Sequence, residues 1–210
     1  MVEICAIKFP EFSWLKNVTA IVKSSYHTKS FFEVLEELED EEVEPFLTKI
    51  IDLGHESALE HIVFTFLIYD ISRWATHQLV RHRISSYTQK TLRRERPIEM
   101  DSFVVDDAFP EKLQPALSKY YTTVSKFYGN LLERGATPEQ ARAILPGSVK
   151  SEVTWTVNLR ALRNFLKERL SKTAQAEIRE MAEKIVSIFE ELEVEYLLKG
   201  VAYTSEVLGE

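Results

Sequence analysis

The chain has 210 residues, of which 45% are hydrophobic, 11% aromatic and 28% charged. This composition supplies enough apolar material for a packed core, which excludes a disordered, collagen-like or low-complexity chain. The formal net charge is -7 at pH 7, which argues against a general coat for nucleic acids if the charge is spread evenly.

The start of the chain and its cysteine content bear on location. The first residues include Glu3 and contain no apolar core of signal-peptide length. No apolar stretch approaches the roughly 20 residues of a membrane span. Cys5 is the only cysteine, which excludes an intrachain disulfide and a cysteine-based zinc cluster. We therefore expect a soluble, cytoplasmic protein with no metal and no membrane partner, folded as one domain over residues 1–210.

The first half of the chain alternates predicted strands and helices. Strands are predicted at 2–9, 18–23 and 61–71. The last of these is β-branched and aromatic throughout, which predicts burial on both faces. Residues 30–54 are predicted to be helical, and Ser72 is placed as the N-cap of a helix that continues to Arg81.

The second half of the chain is dominated by helices. Residues 84–110 are polar, which predicts a long loop with one short strand around Phe103, and a loop of that length is either functional or disordered. A strand is predicted at 152–157, and helices at 111–134, from the N-cap Thr137 to Pro146, at 159–170 and at 174–198. Apolar residues in the last helix repeat every three or four positions from Ile178, which is typical of a core or a subunit interface. The elements add up to a single α/β domain with two or three long helices.

Positive charge is concentrated in one window. Residues 71–96 contain seven arginines or lysines and one acid, so the window carries +6 and the rest of the chain -13. Such a concentration on an acidic protein predicts a local anion site. A basic surface loop and a nucleic-acid-binding module are the alternatives, although Tyr87 is the one aromatic side chain of the segment 78–93, too few for a stacking platform.

The chain lacks the common phosphate and metal motifs. Neither GxGxxG, GxxxxGKS/T nor HExxH occurs, so a phosphate must be held by arginines, hydroxyls and helix termini. Arg81 and Arg83 would point in nearly opposite directions on a helix, at about 100° per residue. With Arg93, a set of hydroxyl side chains forms the kind of polar pocket that binds a phosphate monoester, namely Ser85, Ser86, Thr88 and Thr91.

A second polar set lies on the helix predicted at 159–170. Arg160 and Asn164 are four residues apart and share a helix face, whereas Arg169 lies about 180° from Arg160 on an ideal helix. The helix therefore serves two ligands, or it bends or ends before Arg169.

Four blocks of the sequence resemble the flavin-dependent thymidylate synthases, in the same order. They are GHESALEH at 54–61, HQLVRHR at 77–83 with a hydroxyl eight residues beyond, RAILP at 142–146 and NLRALRNFLKER at 158–169. The arrangement of RHR, seven residues and a hydroxyl side chain is specific to that family. The resemblance extends from about Ser24 to Ile178.

The resemblance implies the reductive methylation of dUMP to dTMP. Methylenetetrahydrofolate would supply the one-carbon unit, FAD would carry the hydride, and NADPH would reduce the flavin. The resemblance also implies an α/β (α+β) fold with a mixed, largely antiparallel sheet flanked by long helices. It further implies a homotetramer whose active sites are completed by neighbouring subunits, with small-molecule partners and no nucleic acid.

The resemblance also implies roles for individual residues. Those implied to bind FAD are Ser57, Arg81, His82, Arg83, Gln89, Asn158, Arg160 and Asn164. Those implied to bind dUMP are Gln78, Leu79, Val80, Arg81, Gln89, Lys90, Thr91, Leu92, Arg93, Arg142 and Arg169. Arg169 is also implied to be catalytic, because a fixed guanidinium stabilises the ionised uracil imide and makes the ring carbon more nucleophilic. Ser24 and Ser25 are implied to lie near the flavin phosphates.

The sequence departs from the family pattern at two notable positions. Thr91 replaces the motif serine, which keeps the hydroxyl but adds a methyl group, and Arg94 stands where the family usually has tyrosine. Lys90 and Leu92 are also unusual. These differences keep open the alternative of a catalytically degenerate binder of flavin or nucleotide with the same fold.

Overall fold

The computed structural model describes residues 2–94, 97–105 and 109–201. The strands are β1 (Glu3–Lys8), β2 (Val63–Ser72), β3 (Ser85–Gln89) and β4 (Lys150–Asn158). The α-helices are α1 (Phe12–Ser24), α2 (Phe31–Glu37), α3 (Val43–Asp52), α4 (Arg73–Leu79), α5 (Gln114–Glu133), α6 (Pro138–Ala141), α7 (Leu159–Arg169) and α8 (Ala176–Glu191). Within these ranges, no helix is long and apolar enough to cross a membrane.

The strands form one sheet in the order β1-β2-β4-β3. Each neighbouring pair is antiparallel. The expected α+β fold with a largely antiparallel sheet is thereby confirmed, but the expected mixed pairing is wrong for the described strands. β2 and β3 do run in the same direction, yet β4 lies between them, so the two strands form no parallel ladder.

One face of the sheet carries the main core. Along β2, Phe64, Phe66 and Ile68 are fully buried while their neighbours are partly exposed, and the alternation continues in β4 at Trp155. The prediction that β2 is buried on both faces is therefore correct for one face only. Antiparallel sheets commonly pack one face on the core in this way.

α7 and α8 cover the buried face. Phe165 of α7 packs its ring against Trp155 with the centroids 5.0 Å apart. On α8, Ile178, Met181 and Ile185 are fully buried, whereas Leu192, just beyond the helix, is exposed. The predicted apolar stripe therefore forms core over the length of α8.

Several predicted elements differ from those observed. The helix predicted at 30–54 is divided into α2 and α3 by a 3-10 turn at Asp40–Glu42, and the helix predicted from Thr137 to Pro146 consists of α6 and a 3-10 turn. Residues 18–23 were predicted as a strand but lie in α1, where Leu15, Val18 and Val22 are buried at the three- and four-residue spacing of a helix. A window of six residues is too short to reveal that period. The helix predicted at 174–198 ends at Glu191, and Glu193 has a left-handed φ of 54° that terminates it.

The predicted loop at 84–110 contains a strand and part of a second core. β3 pairs with β4, a partner more than 60 residues away in the sequence. Phe103 forms an isolated bridge with Val149, which agrees with the short strand expected there. Its ring stacks on Tyr121 of α5 with the centroids 4.4 Å apart. This smaller apolar cluster supports the segment that follows β3.

Ser72 joins the end of β2 to α8. Its hydroxyl accepts a hydrogen bond from the Ala75 backbone N–H at 3.1 Å, which is the predicted N-cap of α4. The same hydroxyl donates to Glu177 Oε2 at 2.5 Å, and the Ser72 backbone N–H donates to Glu177 Oε1 at 2.6 Å. The start of α4 is therefore fixed by a carboxylate from another helix.

We expect Ser72→Ala to lower the free energy of unfolding by about 1–2 kcal/mol, because it removes a helix cap and leaves the part-buried Glu177 with fewer donors. Chemical denaturation followed by circular dichroism measures this loss. Ser30→Ala is the control, since Ser30 caps α2, which has the same seven-residue length, and donates to Glu33 of that same helix at an exposed position, whereas Ser72 donates to another helix. Equal losses in the two variants would contradict the role assigned to Glu177.

Candidate functional site

The contact between His82 and Arg169 brings together two predicted site residues 87 positions apart in the sequence. Arg169 is the last residue of α7, and His82 follows the end of α4. The Arg169 Nε–H donates to His82 Nε2 at 3.2 Å. The His82 ring also packs edge-on against Phe165, with centroids 5.0 Å apart. α7 continues unbroken to Arg169, so the alternative that this helix ends before Arg169 is wrong.

The environment of His82 favours its neutral form. Burial lowers the pKa of His82, and the charge of Arg169 lowers it further. The Glu168 carboxylate opposes this shift from 3.9 Å, but it is largely exposed to solvent. Because Nε2 accepts from Arg169, the neutral ring carries its proton on Nδ1. His82 thus orients the guanidinium of Arg169 as a hydrogen-bond acceptor.

β3 supports the backbone around His82. The Tyr87 hydroxyl lies 2.9 Å from the Leu79 carbonyl oxygen and 2.7 Å from that of His82, and the Ser85 hydroxyl donates to the same His82 carbonyl at 3.1 Å. Burial raises the pKa of Tyr87, so its hydroxyl stays protonated and able to donate. Tyr87 was not predicted as a site residue, and its position two residues before Gln89 on the same strand face gave no specific signal.

The predicted pocket of four hydroxyls around Arg93 does not form in the described chain. Ser85 is engaged with the His82 carbonyl, whereas Ser86 and Thr88 lie on the opposite, exposed face of β3. Successive side chains of a strand point to opposite faces, so these hydroxyls cannot converge. Thr91 remains beside Arg93.

Two predicted glutamines make structural contacts. Gln89 Nε2 donates to Thr76 Oγ1 at 2.8 Å and to Ser151 Oγ at 3.1 Å. Gln78 Nε2 donates to Gln175 Oε1, which precedes α8. Gln89 is therefore held between α4 and β4, and Gln78 joins α4 to the residue before α8.

A second group contains Thr91, Arg93 and Arg142. The Arg93 backbone N–H donates to Thr91 Oγ1 at 3.1 Å. Arg93 Nε lies 3.1 Å from Glu139 Oε1, and Arg142 Nη2 lies 3.5 Å from the same oxygen. We call Arg93, Glu139 and Arg142 the anion cluster. Its two arginines were predicted, whereas Glu139 was missed, since its only signal is its position three residues before Arg142.

A third group lies where α7 begins. The Asn158 side chain accepts from the Ala161 backbone N–H at 2.9 Å and so caps the helix. Arg160 Nη1 donates to Glu60 Oε1 at 2.6 Å, and Arg160 Nε lies 3.3 Å from Glu56. Both acids belong to the 3-10 helix Glu56–His61, which also carries the exposed Ser57. The first and last of the four sequence blocks therefore meet.

The other predicted residues are distributed around these groups. Leu79 is buried in the core and Leu92 packs against the smaller apolar cluster. Lys90 Nζ lies 3.7 Å from Glu152. Like Lys90, four further predicted side chains are exposed, namely Val80, Arg81, Arg83 and Asn164. The hydroxyls of Ser24 and Ser25 donate to backbone carbonyls in α1, and Arg96 of the basic window lies outside the described residues.

Two cavities on the described surface lie apart from the arginine groups. One of about 490 Å³ lies between the end of β1 and His61, beside Trp14. The other, of about 210 Å³, is lined by Lys23, His27 and Lys29 among others. Neither is lined by Arg81, Arg93 or Arg169, so the predicted site residues of the single chain lie outside both cavities. In the described ranges, no cluster of three or more metal-ligating side chains is present.

Comparison with known proteins shows what the chain is similar to. Residues 13–193 match the family described as thymidylate synthase complementing protein. The chain is 40% identical to the flavin-dependent thymidylate synthase of Pyrococcus abyssi over 178 residues, which cover 82% of this chain and 72% of that protein. It is 42% identical to that of Pyrococcus horikoshii over 180 residues, which cover 82% of this chain and 73% of that protein.

A solved structure has the same fold. Thymidylate synthase X from Helicobacter pylori, crystallised with FAD and dUMP, matches with a TM-score of 0.73 at 20% sequence identity, and each chain is covered in full. At this identity the similarity establishes the architecture of the domain.

We expect the pKa of His82 to lie below the ordinary histidine value of 6.5. A pH titration followed by NMR of the imidazole ring measures it. Below the ordinary value the unfolded chain binds a proton that the folded chain excludes, so stability falls as the pH decreases. Arg169→Gln should raise the midpoint, because it removes the repelling charge, whereas Arg179→Gln on α8 should leave it unchanged. A midpoint at or above the ordinary value in the unmodified protein would contradict the neutral acceptor role.

Proposed function

The chain belongs to the flavin-dependent thymidylate synthase family, and we propose that it catalyses the reductive methylation of dUMP to dTMP. Methylenetetrahydrofolate is the proposed one-carbon donor, FAD the hydride carrier and NADPH the reductant of the flavin. The observation that carries the proposal is the 3.2 Å contact between Arg169 and His82. It joins the residue expected to activate the nucleotide to one expected to bind the flavin.

The residues present fit an anionic dinucleotide such as FAD. Arg81 and Arg83 expose two guanidinium groups close together in the sequence, and such groups bind a diphosphate well. Arg160 and Asn164 share a face of α7 beside Ser57, and they offer amide, guanidinium and hydroxyl donors. When bound, FAD supplies the hydride chemistry that no amino-acid side chain provides. We assign its binding to these residues together with His82, Gln89 and Asn158.

Arg169 is the proposed catalytic residue. Its side chain is 21% exposed and is held by His82, so the guanidinium keeps one orientation. A fixed positive charge beside the uracil imide favours loss of the imide proton, and the resulting anion carries more electron density on the ring carbon that is methylated. A cysteine nucleophile is then unnecessary. Cys5 lies in β1, at the opposite edge of the sheet from β3.

The anion cluster is the proposed binding site of the nucleotide phosphate. Arg93 and Arg142 supply two guanidinium groups, which bind phosphate oxygens with short, charge-assisted hydrogen bonds. The Thr91 oxygen already accepts from Arg93, but its O–H can still donate to the phosphate. The threonine methyl lies next to this hydroxyl, so Thr91 supplies the motif donor in a narrower space than serine would.

We propose that the site is completed in a homotetramer located in the cytoplasm. Ile84, directly after Arg83, is 70% exposed, and Trp74 on α4 is 61% exposed. Large apolar side chains exposed beside the predicted binding residues support coverage by another subunit. Completion by a neighbour also accounts for arginine groups that lie outside the cavities of the single chain.

The charge pattern disfavours the nucleic-acid alternative. Three of the basic side chains of the window 71–96 contact oxygen atoms of the same chain: Arg73 the Lys90 carbonyl, Lys90 the Glu152 carboxylate and Arg93 the Glu139 carboxylate. Binding of single strands also uses aromatic side chains on which bases stack, whereas the Tyr87 ring is stacked on Trp155 of the core.

We expect the FAD-loaded protein to release tritium from dUMP labelled at the methylated ring carbon, when NADPH and methylenetetrahydrofolate are present. Arg169→Ala should lower this rate by about 10²–10³-fold, because it removes a preorganised positive charge, while FAD stays bound. Arg179→Ala, which removes an arginine that contacts Glu183 and the Lys172 carbonyl, is the control. Absence of tritium release at saturating dUMP would reject the synthase proposal.

We expect Arg81→Ala to weaken the retention of FAD during gel filtration, since it removes one of two exposed guanidinium groups proposed for the flavin phosphates. The ratio of flavin to protein absorbance measures the effect. Arg134→Ala, at an exposed arginine after α5, provides a control with the same change of charge. Full flavin content in the Arg81 variant would show that this residue is misassigned.

A further inference from the structure

We infer that Glu139 occupies the phosphate position of the anion cluster in the ligand-free protein and must leave it when the nucleotide binds. The inference rests on the proposed function, because the nucleotide is dUMP. A single oxygen, Glu139 Oε1, lies 3.1 Å from Arg93 Nε and 3.5 Å from Arg142 Nη2. A carboxylate oxygen between two guanidinium groups stands where a phosphate oxygen would bind.

The backbone of Glu139 is fixed, while its side chain is free to turn away. Thr137 and Gln140 cap α6 reciprocally, with the Gln140 N–H donating to Thr137 Oγ1 at 3.3 Å and the Thr137 N–H donating to Gln140 Oε1 at 2.9 Å. The Glu139 side chain is 54% exposed. Ion pairs this exposed contribute little to stability, so a stronger anion can displace the carboxylate without unfolding the turn.

The balance of charge requires the displacement. The two arginines carry +2 and Glu139 carries -1, so the cluster is +1 in the ligand-free protein. A phosphate monoester carries about -1.5 to -2 at pH 7. With Glu139 in place the bound cluster would be left with a net negative charge, whereas with Glu139 turned away the arginines match the phosphate. Glu139 therefore opposes phosphate-bearing ligands specifically.

A structural role for Glu139 predicts the opposite effect. If the carboxylate mainly held Arg93 and Arg142 in position, its removal would disperse the two guanidinium groups and weaken nucleotide binding. If it competes with the phosphate, its removal tightens binding. The sign of the change in affinity therefore decides between the two roles.

The test measures the dissociation constants of dUMP, deoxyuridine and inorganic phosphate by calorimetry on the FAD-loaded protein. We expect Glu139→Gln to lower the Kd for dUMP and for phosphate about fivefold, the effect of removing one like charge a few ångströms away in water. The Kd for deoxyuridine, which lacks the phosphate, should not change. The gain should shrink at high ionic strength, because the groups are exposed.

Glu133→Gln is the matched control, since it makes the same change of charge at an exposed position at the end of α5. Unchanged or weaker dUMP binding in Glu139→Gln, or an equal gain in Glu133→Gln, would overturn the inference while the proposed function stands. If dUMP fails to bind either protein but phosphate binds more tightly to Glu139→Gln, the proposed function is rejected and the role of Glu139 in the anion cluster is supported.

Discussion

β4 pairs with β2 along one edge and with β3 along the other, and α7 follows β4 without an intervening loop. The β3 register, with Ser85 opposite Val157, sets the position of His82 three residues earlier, from which its ring contacts the last turns of α7. A shift of one residue would reverse the faces of β3. Tyr87 would then lose the Leu79 and His82 carbonyls, and His82 would lose its support. The contact between His82 and Arg169 thus depends on this one ladder.

Carboxylates accompany four of the arginines on which the proposed chemistry depends. Arg160 lies between Glu56 and Glu60, Arg169 lies near Glu168, and the anion cluster contains Glu139. Some of the acidic residues of the chain therefore lie directly beside the arginines of the predicted site. These carboxylates occupy the guanidinium groups before a ligand arrives, so an incoming anion has to compete with them.

Local signals predicted the elements that depend on local interactions. The N-caps Ser72 and Thr137 and the helix over α7 lie where the sequence indicated. β3 was missed because a short polar edge strand is defined by a distant partner. The contact between His82 and Arg169 and the convergence on Glu139 also arise from folding, since their residues are far apart in the chain or carry no motif. The family resemblance indicated the candidate residues, and the structure shows which side chains contact them.

α7 also limits how this domain can change over evolution. Arg160 and Arg169 are nine residues apart on one straight helix, at opposite ends and on nearly opposite faces. Substitutions between them alter surface or packing, but a single insertion or deletion would rotate one arginine by about 100° relative to the other. Any related or redesigned form of the protein that keeps both arginines in these roles must therefore keep the nine-residue spacing between them.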